Sequence, residues 1–189
     1  MGMIDRIKGI LLEPKAEWPR ISQEPASVQS LYLGWILWLA AIGPVVLLIS
    51  FGNLGLGLRF AVGMYVSALI GASVLAVIAD LLSTSFGGTR DFIAALKLIA
   101  YSHTAIWLAE IAFFIPLFNW LVVLVGWIYS LYLLFLGAPV LKKCAPEKAA
   151  AYTFVVVLCA IVLFYLMQRL VYGLGPTAGA MVMPGMGAG

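Results

Sequence analysis

The sequence predicts an all-α, polytopic integral membrane protein with five transmembrane helices in one bundle, its N-terminus cytoplasmic and its C-terminus outside. Three observations predict it. Of 189 residues, 64% are hydrophobic and 10% charged, which leaves a water-soluble domain too little polar surface to cover its core. Apolar runs recur five times, at about Val28 to Phe51, Phe60 to Thr84, Phe92 to Ile115, Phe118 to Val140 and Ala151 to Gly173. Each is long enough for a hydrocarbon core of roughly 30 Å, which takes about 20 helical residues. Basic residues also gather on one side of the resulting topology: Arg6, Lys8, Lys15, Arg20, Arg90, Lys142, Lys143 and Lys148, against Arg59 and Arg169 on the other, and the positive-inside rule sets the orientation.

Residues 1–27 read as a separate cytoplasmic arm with no long apolar core and no cleavage site of a secretory signal. Ile4, Ile7 and Leu11 share one helical face, so a short helix lying in the membrane interface is expected, drawn there by anionic lipid; Pro14, Pro19 and Pro25 prevent a long one. Residues 28–174 form the five-helix domain, and residues 175–189 are a flexible Gly/Met-rich tail. In that tail Met181, Met183 and Met186 have no His or Cys nearby and are not expected to hold copper.

In the first span Gly43-Pro44 should kink the crossing. In the second, Gly63, Ser67 and Gly71 recur at four-residue intervals, a packing face for Ala105, Ala109 and Ala112 of the third. Gly87-Gly88 should end the second helix in a left-handed cap, with Thr89 opening the next and Asp91 at its positive end. A single helix from Phe92 to Val140 would be roughly 73 Å long at 1.5 Å per residue, so the chain must turn near Pro116. Gly126, Ser130 and Gly137 leave room on the fourth span, and most tryptophans fit interface anchoring. Cys144 and Cys159 lie roughly 22 Å apart along the chain and cannot pair.

The ionisable residues inside the spans carry the functional question, because intramembrane charges usually pair or face a cavity. Depth from the Gly87-Gly88 turn places Asp80 about 10 Å up the second helix and Lys97 about 12 Å up the third, a candidate ion pair. Glu110 and Arg169 both fall roughly 30 Å up, a second candidate pair, with Arg59 as the alternative partner for Glu110. His103 lies near mid-membrane, level with Ser73 and on the face of Glu110. Read as bundle staples, these residues make a structural polar network; read as a seam, they make a proton or ion path through a small transporter or channel. There is one histidine, no metal-ligand spacing, no nucleophile elbow and no dinucleotide fingerprint, so neither an enzyme nor a cofactor is expected, and the few basic residues make no nucleic-acid surface.

Three stretches carry a resemblance: "LEPKAEWPRISQEPAS", "GGTRDFIAALKLIAYSHTAIWLAEI" and "WIYSLYLLFLGAPVLKKCAPEKAAAYTFVVVL". Over about residues 8 to 170 the chain resembles the bacterial branch of the Yip membrane-domain family, named for eukaryotic proteins that interact with Ypt/Rab GTPases. The resemblance implies five membrane helices in the bacterial cytoplasmic membrane and a non-enzymatic role, organising protein partners or self-associating amid membrane lipids. The arm lacks the long extension of eukaryotic members, so Rab binding does not carry over. Where many relatives have proline after the "YSxT"-like turn, Ala105 stands here, which predicts a straighter third helix.

Overall fold

A hydrocarbon core offers no water to the backbone, so each apolar run must close its hydrogen bonds within itself. The computed structural model describes residues 2–173 apart from Phe51, Pro116 and Phe118, and among them there are helices and no strand. The expected turn residue Pro116 and the tail methionines lie outside the described residues. Among the described residues, five helices are long and apolar enough to cross a membrane: Val28–Ser50, Leu54–Phe86, Phe92–Phe114, Asn119–Leu141 and Pro146–Leu170. They match the five predicted runs, the second beginning six residues earlier, at Leu54, where the Asn53 side chain caps it by accepting from the Leu56 N–H at 3.1 Å.

The turns between the second and third spans and between the fourth and fifth lie side by side. Thr89 N–H donates to the Lys142 carbonyl at 2.8 Å and Ala145 N–H to that of Phe86 at 3.4 Å. Gly87 has φ +76°, the left-handed cap expected of it. A Cβ on Gly88 would come within 2.5 Å of the Lys142 carbonyl oxygen, so glycine lets the two turns touch. The cap of the third span is Asp91 rather than Thr89: its carboxylate accepts from the Ala94 N–H at 2.9 Å. Thr89 and Arg90 lie outside the helix, and Thr89 stays paired with the neighbouring turn.

Two spans are interrupted near their middles. The first breaks at Ala40–Ala41 and resumes as Ile42–Ser50. Pro44 has no N–H for the Ala40 carbonyl, and its ring crowds that oxygen, so the break falls one turn before the proline. A π-helical stretch, Tyr32–Ile36, precedes it. The third span was expected to be straighter without proline, yet it turns at His103, between Phe92–Ser102 and Thr104–Ala109. There the His103 Nδ1 reaches the Ile99 carbonyl at 2.8 Å, and the Ile106 N–H donates across to Ser130 Oγ of the fourth span at 3.1 Å. Side chains that bond backbone groups in this way bend helices as proline does.

The small-residue faces pair differently from the expectation. Ala105 and Ala109 pack against Gly126 of the fourth span, where an added Cβ would sit 2.5 Å from Ala109 Cβ. A Cβ on Gly71 would meet nothing within 4 Å. The second span touches the third mainly through its Phe92–Ser102 half, so Ser67 and Gly71 border open space instead of a neighbouring backbone.

The arm forms α1 (Met3–Leu12) and α2 (Pro14–Gln23), with Pro14 in the first turn of α2, where no donor is needed. Its packed face keeps Ile7 and Leu11 of the expected one but turns away from Ile4. Ile4 is 68% exposed, while Arg6, Ile10, Glu17, Trp18 and Ile21 are buried. Trp18 fills the notch at Gly137, and the Tyr129 hydroxyl donates to the Leu11 carbonyl at 2.5 Å. Tyr129 stands twelve residues before the end of its span, roughly 18 Å along the helix, so the arm packs along the side of the bundle about three turns from that end. Trp18 and Trp35 are therefore packing residues, whereas Trp38 and Trp120 are about two-thirds exposed, as anchors would be.

Candidate functional site

The buried charged residues divide into a group with bonded partners near the arm and a single carboxyl, Glu110, without a counter-charge in the other half of the bundle. Near the arm, Asp80 does not meet Lys97. Its partner is Lys142, fully buried, whose Nζ donates to Asp80 Oδ1 at 2.5 Å and to the Asp91 carbonyl at 2.8 Å. Asp80 also accepts the Asp91 N–H at 2.7 Å, and Arg90 stands 3.9 Å away. One carboxylate thus joins the second span to both adjacent turns, with the hydrogen bonds that make a buried ion pair tenable.

Lys97 turns toward the arm. Its Nζ donates to the carbonyls of Ile21 at 2.8 Å and Glu24 at 2.5 Å, the last turn and the cap of α2. A helix C-terminus leaves carbonyls unpaired and carries partial negative charge, so an ammonium serves as both donor and counter-charge. Alongside, Arg6 pairs with Glu17 at 2.6 Å and with Glu24. Burial works to lower the Arg6 pKa, but the Glu24 and Glu17 carboxylates outweigh it and hold the guanidinium charge above its ordinary value.

Ser73 is not a partner of His103. Its hydroxyl lies 2.5 Å from that of Tyr32, which donates to the Leu69 carbonyl at 2.7 Å, tying the second span to the π-helical stretch of the first. His103 is occupied at Nδ1 by Ile99; a carbonyl only accepts, so Nδ1 carries the hydrogen and the Nε2 of a neutral ring is an acceptor.

In the other half, the expected Glu110–Arg169 pair is absent. Arg169 is exposed, its Nε donates to the Tyr165 hydroxyl at 3.0 Å, and its guanidinium lies 5.5 Å from the Tyr165 ring centroid. The Glu110 carboxyl lies against Gly43, at the start of the resumed helix Ile42–Ser50. Its Oε2 is sealed from solvent, with the Gly43 backbone N–H as its polar neighbour and no side-chain partner among the described residues, and Glu110 makes no salt bridge among them. Glu110 and His103 both line a cavity of about 440 Å³, with Ser67 and Gly71 of the second span and Gln168 of the fifth. Of the residues singled out in the sequence, the structure thus brings together His103, Glu110, Ser67 and Gly71, and keeps Asp80, Lys97, Ser73 and Arg169 apart from them.

Sequence reasoning missed Lys142, which resembled an ordinary positive-inside lysine. A signal was present: Gly126, Ser130, Leu134, Ala138 and Lys142 recur every four residues, and all five are buried. The buried pair Arg6–Ile10 gave the same cue on α1. Searches of curated proteins and of solved structures each returned no match. With five apolar spans around a buried ionic core, and a family model described as the Yip1 domain matching residues 8–167, the chain belongs to the Yip1 domain family.

Proposed function

We propose that this protein organises or recruits protein partners, further copies of itself included, at the cytoplasmic face of a bacterial inner membrane, without enzymatic activity. The observation that carries the reading is the use of Lys97: an intramembrane charge fastens the arm instead of facing a lumen. The arm and the adjoining turns then present Lys8, Glu13, Lys15, Arg20, Arg90, Lys143, Glu147 and Lys148, all exposed, from a surface of fixed shape. A fixed surface binds without the ordering cost that a loose arm would incur. The excess of basic residues on this side supports its cytoplasmic placement.

The test is site-specific photocrosslinking from Lys15 and Lys148 in intact membranes. Discrete adducts of defined mass are expected, weakened when Lys97→Met frees the arm. Monomer alone at both positions, in cells where the protein is abundant and correctly inserted, would overturn the proposal.

One observation favours a second reading, a small transporter or channel component with a polar path along His103 and Glu110. Interrupted first and third spans meet around a cavity, as the discontinuous helices of transporters do. Proteoliposome flux abolished by His103→Ala would support it; absence of flux in the parent protein would remove it.

A further inference from the structure

We infer that the cavity between the spans is a binding site for a lipophilic organic ammonium ion, a hydrophobic amine whose charged head sits near Glu110. The inference concerns binding and does not require that the cavity be a transport path.

Five buried side-chain polar atoms find no side-chain partner among the described residues; two of them, Glu110 Oε2 and Ser67 Oγ, belong to residues lining this one cavity, and the others, Trp18 Nε1, Ser102 Oγ and Thr153 Oγ1, belong to residues outside it. Buried polar atoms in native proteins are nearly always bonded, and Glu110 is the one ionisable group of these five, so the cavity beside its carboxyl is where a bonding group belongs. Glu110 Oε2 and Ser67 Oγ both accept hydrogen bonds, as does the free Nε2 of a neutral His103. An ionised carboxylate and this Nε2 can only accept, while the serine hydroxyl takes either role, so a partner common to all three is a donor.

Charge narrows the class further. The resumed helix Ile42–Ser50 directs its positive end at the carboxylate, but no cation pairs with it among the described residues: Lys97 and Lys142 are bonded elsewhere, and Arg169 is turned to Tyr165. The remaining lining is largely apolar and aromatic, including Trp107, Trp127, Phe113 and Phe164. Indole and phenyl faces attract cations, and an apolar wall beside one carboxylate selects a hydrophobic body with one positive head. At about 440 Å³ the cavity is of small-molecule size.

The test uses the full-length protein in neutral maltoside micelles and three probes of equal length: 4-phenylbutylammonium, 4-phenylbutanol and 4-phenylbutanoate. Titration calorimetry, corrected for protein-free micelles, should show saturable binding of the ammonium at one site per chain, at least tenfold tighter than the alcohol, with no binding of the carboxylate. Glu110→Gln should erase the advantage of the ammonium over the alcohol, and Glu110→Asp should retain part of it. Gly71→Leu tests the cavity independently of the carboxylate, since a side chain there enters open space, and it should abolish binding of ammonium and alcohol alike. Ammonium and alcohol binding equally, or ammonium binding untouched by both Glu110→Gln and Gly71→Leu, would overturn the inference and leave the cavity as room for a lipid tail.

Discussion

Removing Asp80 should cost more than removing its partner Lys142, and removing both should cost less than the sum. Asp80→Asn removes the counter-charge of an ammonium that is fully buried and leaves it only neutral oxygens, the Asp91 carbonyl among them. Breaking a buried pair from one side costs about 3–5 kcal/mol. Lys142→Met leaves a carboxylate that still accepts the Asp91 N–H at 2.7 Å and has Arg90 within 3.9 Å, so its cost should be milder, about 1–3 kcal/mol for one unmet charged group. In the double variant no buried charge is left unpaired, and its stability should fall near that of Lys142→Met. Reversible unfolding in mixed maltoside and dodecyl sulfate micelles measures all four proteins. A double variant equal to the sum of the singles within about 0.5 kcal/mol would show two independent groups and refute the shared bond.

Lys97→Met should free the end of α2: amides of residues 21–24 should exchange with deuterium about tenfold faster or more, while those of the spans keep their protection. Gly137→Val should displace Trp18, because a Cβ there would come within 2.8 Å of its ring and 2.6 Å of Leu98 Cδ1; a cost of about 1–3 kcal/mol and faster proteolysis of the arm are expected. Cys144 should resist maleimide at pH 8, since burial pushes its thiol above its ordinary pKa more than Lys142 pulls it down. A cysteine placed at exposed Lys148 should react much faster, and equal rates would show that the turn opens.

Periodicity and length made the five spans legible, because hydrocarbon forces every long apolar run to solve the same backbone problem. What stayed hidden was partner choice. Depth along helices matched Asp80 with Lys97 and Glu110 with Arg169, but depth says nothing of azimuth. Lys142 continues a buried stripe of the fourth span into the turn, closer to Asp80 than any residue of the third span needed to be. The arm was read as interfacial from Ile4, Ile7 and Leu11; Ile7 and Leu11 do pack on the bundle, and the charged Arg6 beside them hid that the face turns inward through Ile10 rather than through Ile4. The turn at His103 has no proline to announce it; it depends on Ile99 and Ser130, one of them on another span. The site in the other half was legible as a shared face of His103 and Glu110, while its cavity follows from Gly71 facing no neighbour, a fact of packing.

The two halves of the bundle treat charge oppositely, and this makes Glu110 a test of purpose. Near the arm, each buried ion has bonded partners, and removing one should destabilise. Glu110 has the positive end of Ile42–Ser50, worth about 0.3–2 kcal/mol to a carboxylate, set against a desolvation penalty of several kcal/mol for an unpaired ion. The penalty is the larger. Replacement by an apolar side chain of similar volume should therefore stabilise: Glu110→Leu is expected to raise stability in the same micellar unfolding assay, while losing the preference for the ammonium probe. Such a gain would mark a residue kept at the expense of stability, the usual signature of a working site. If Glu110→Leu instead loses more than about 1 kcal/mol, the carboxylate is a structural staple, the magnitudes above are ordered wrongly, and the case for a ligand at this cavity loses its charge.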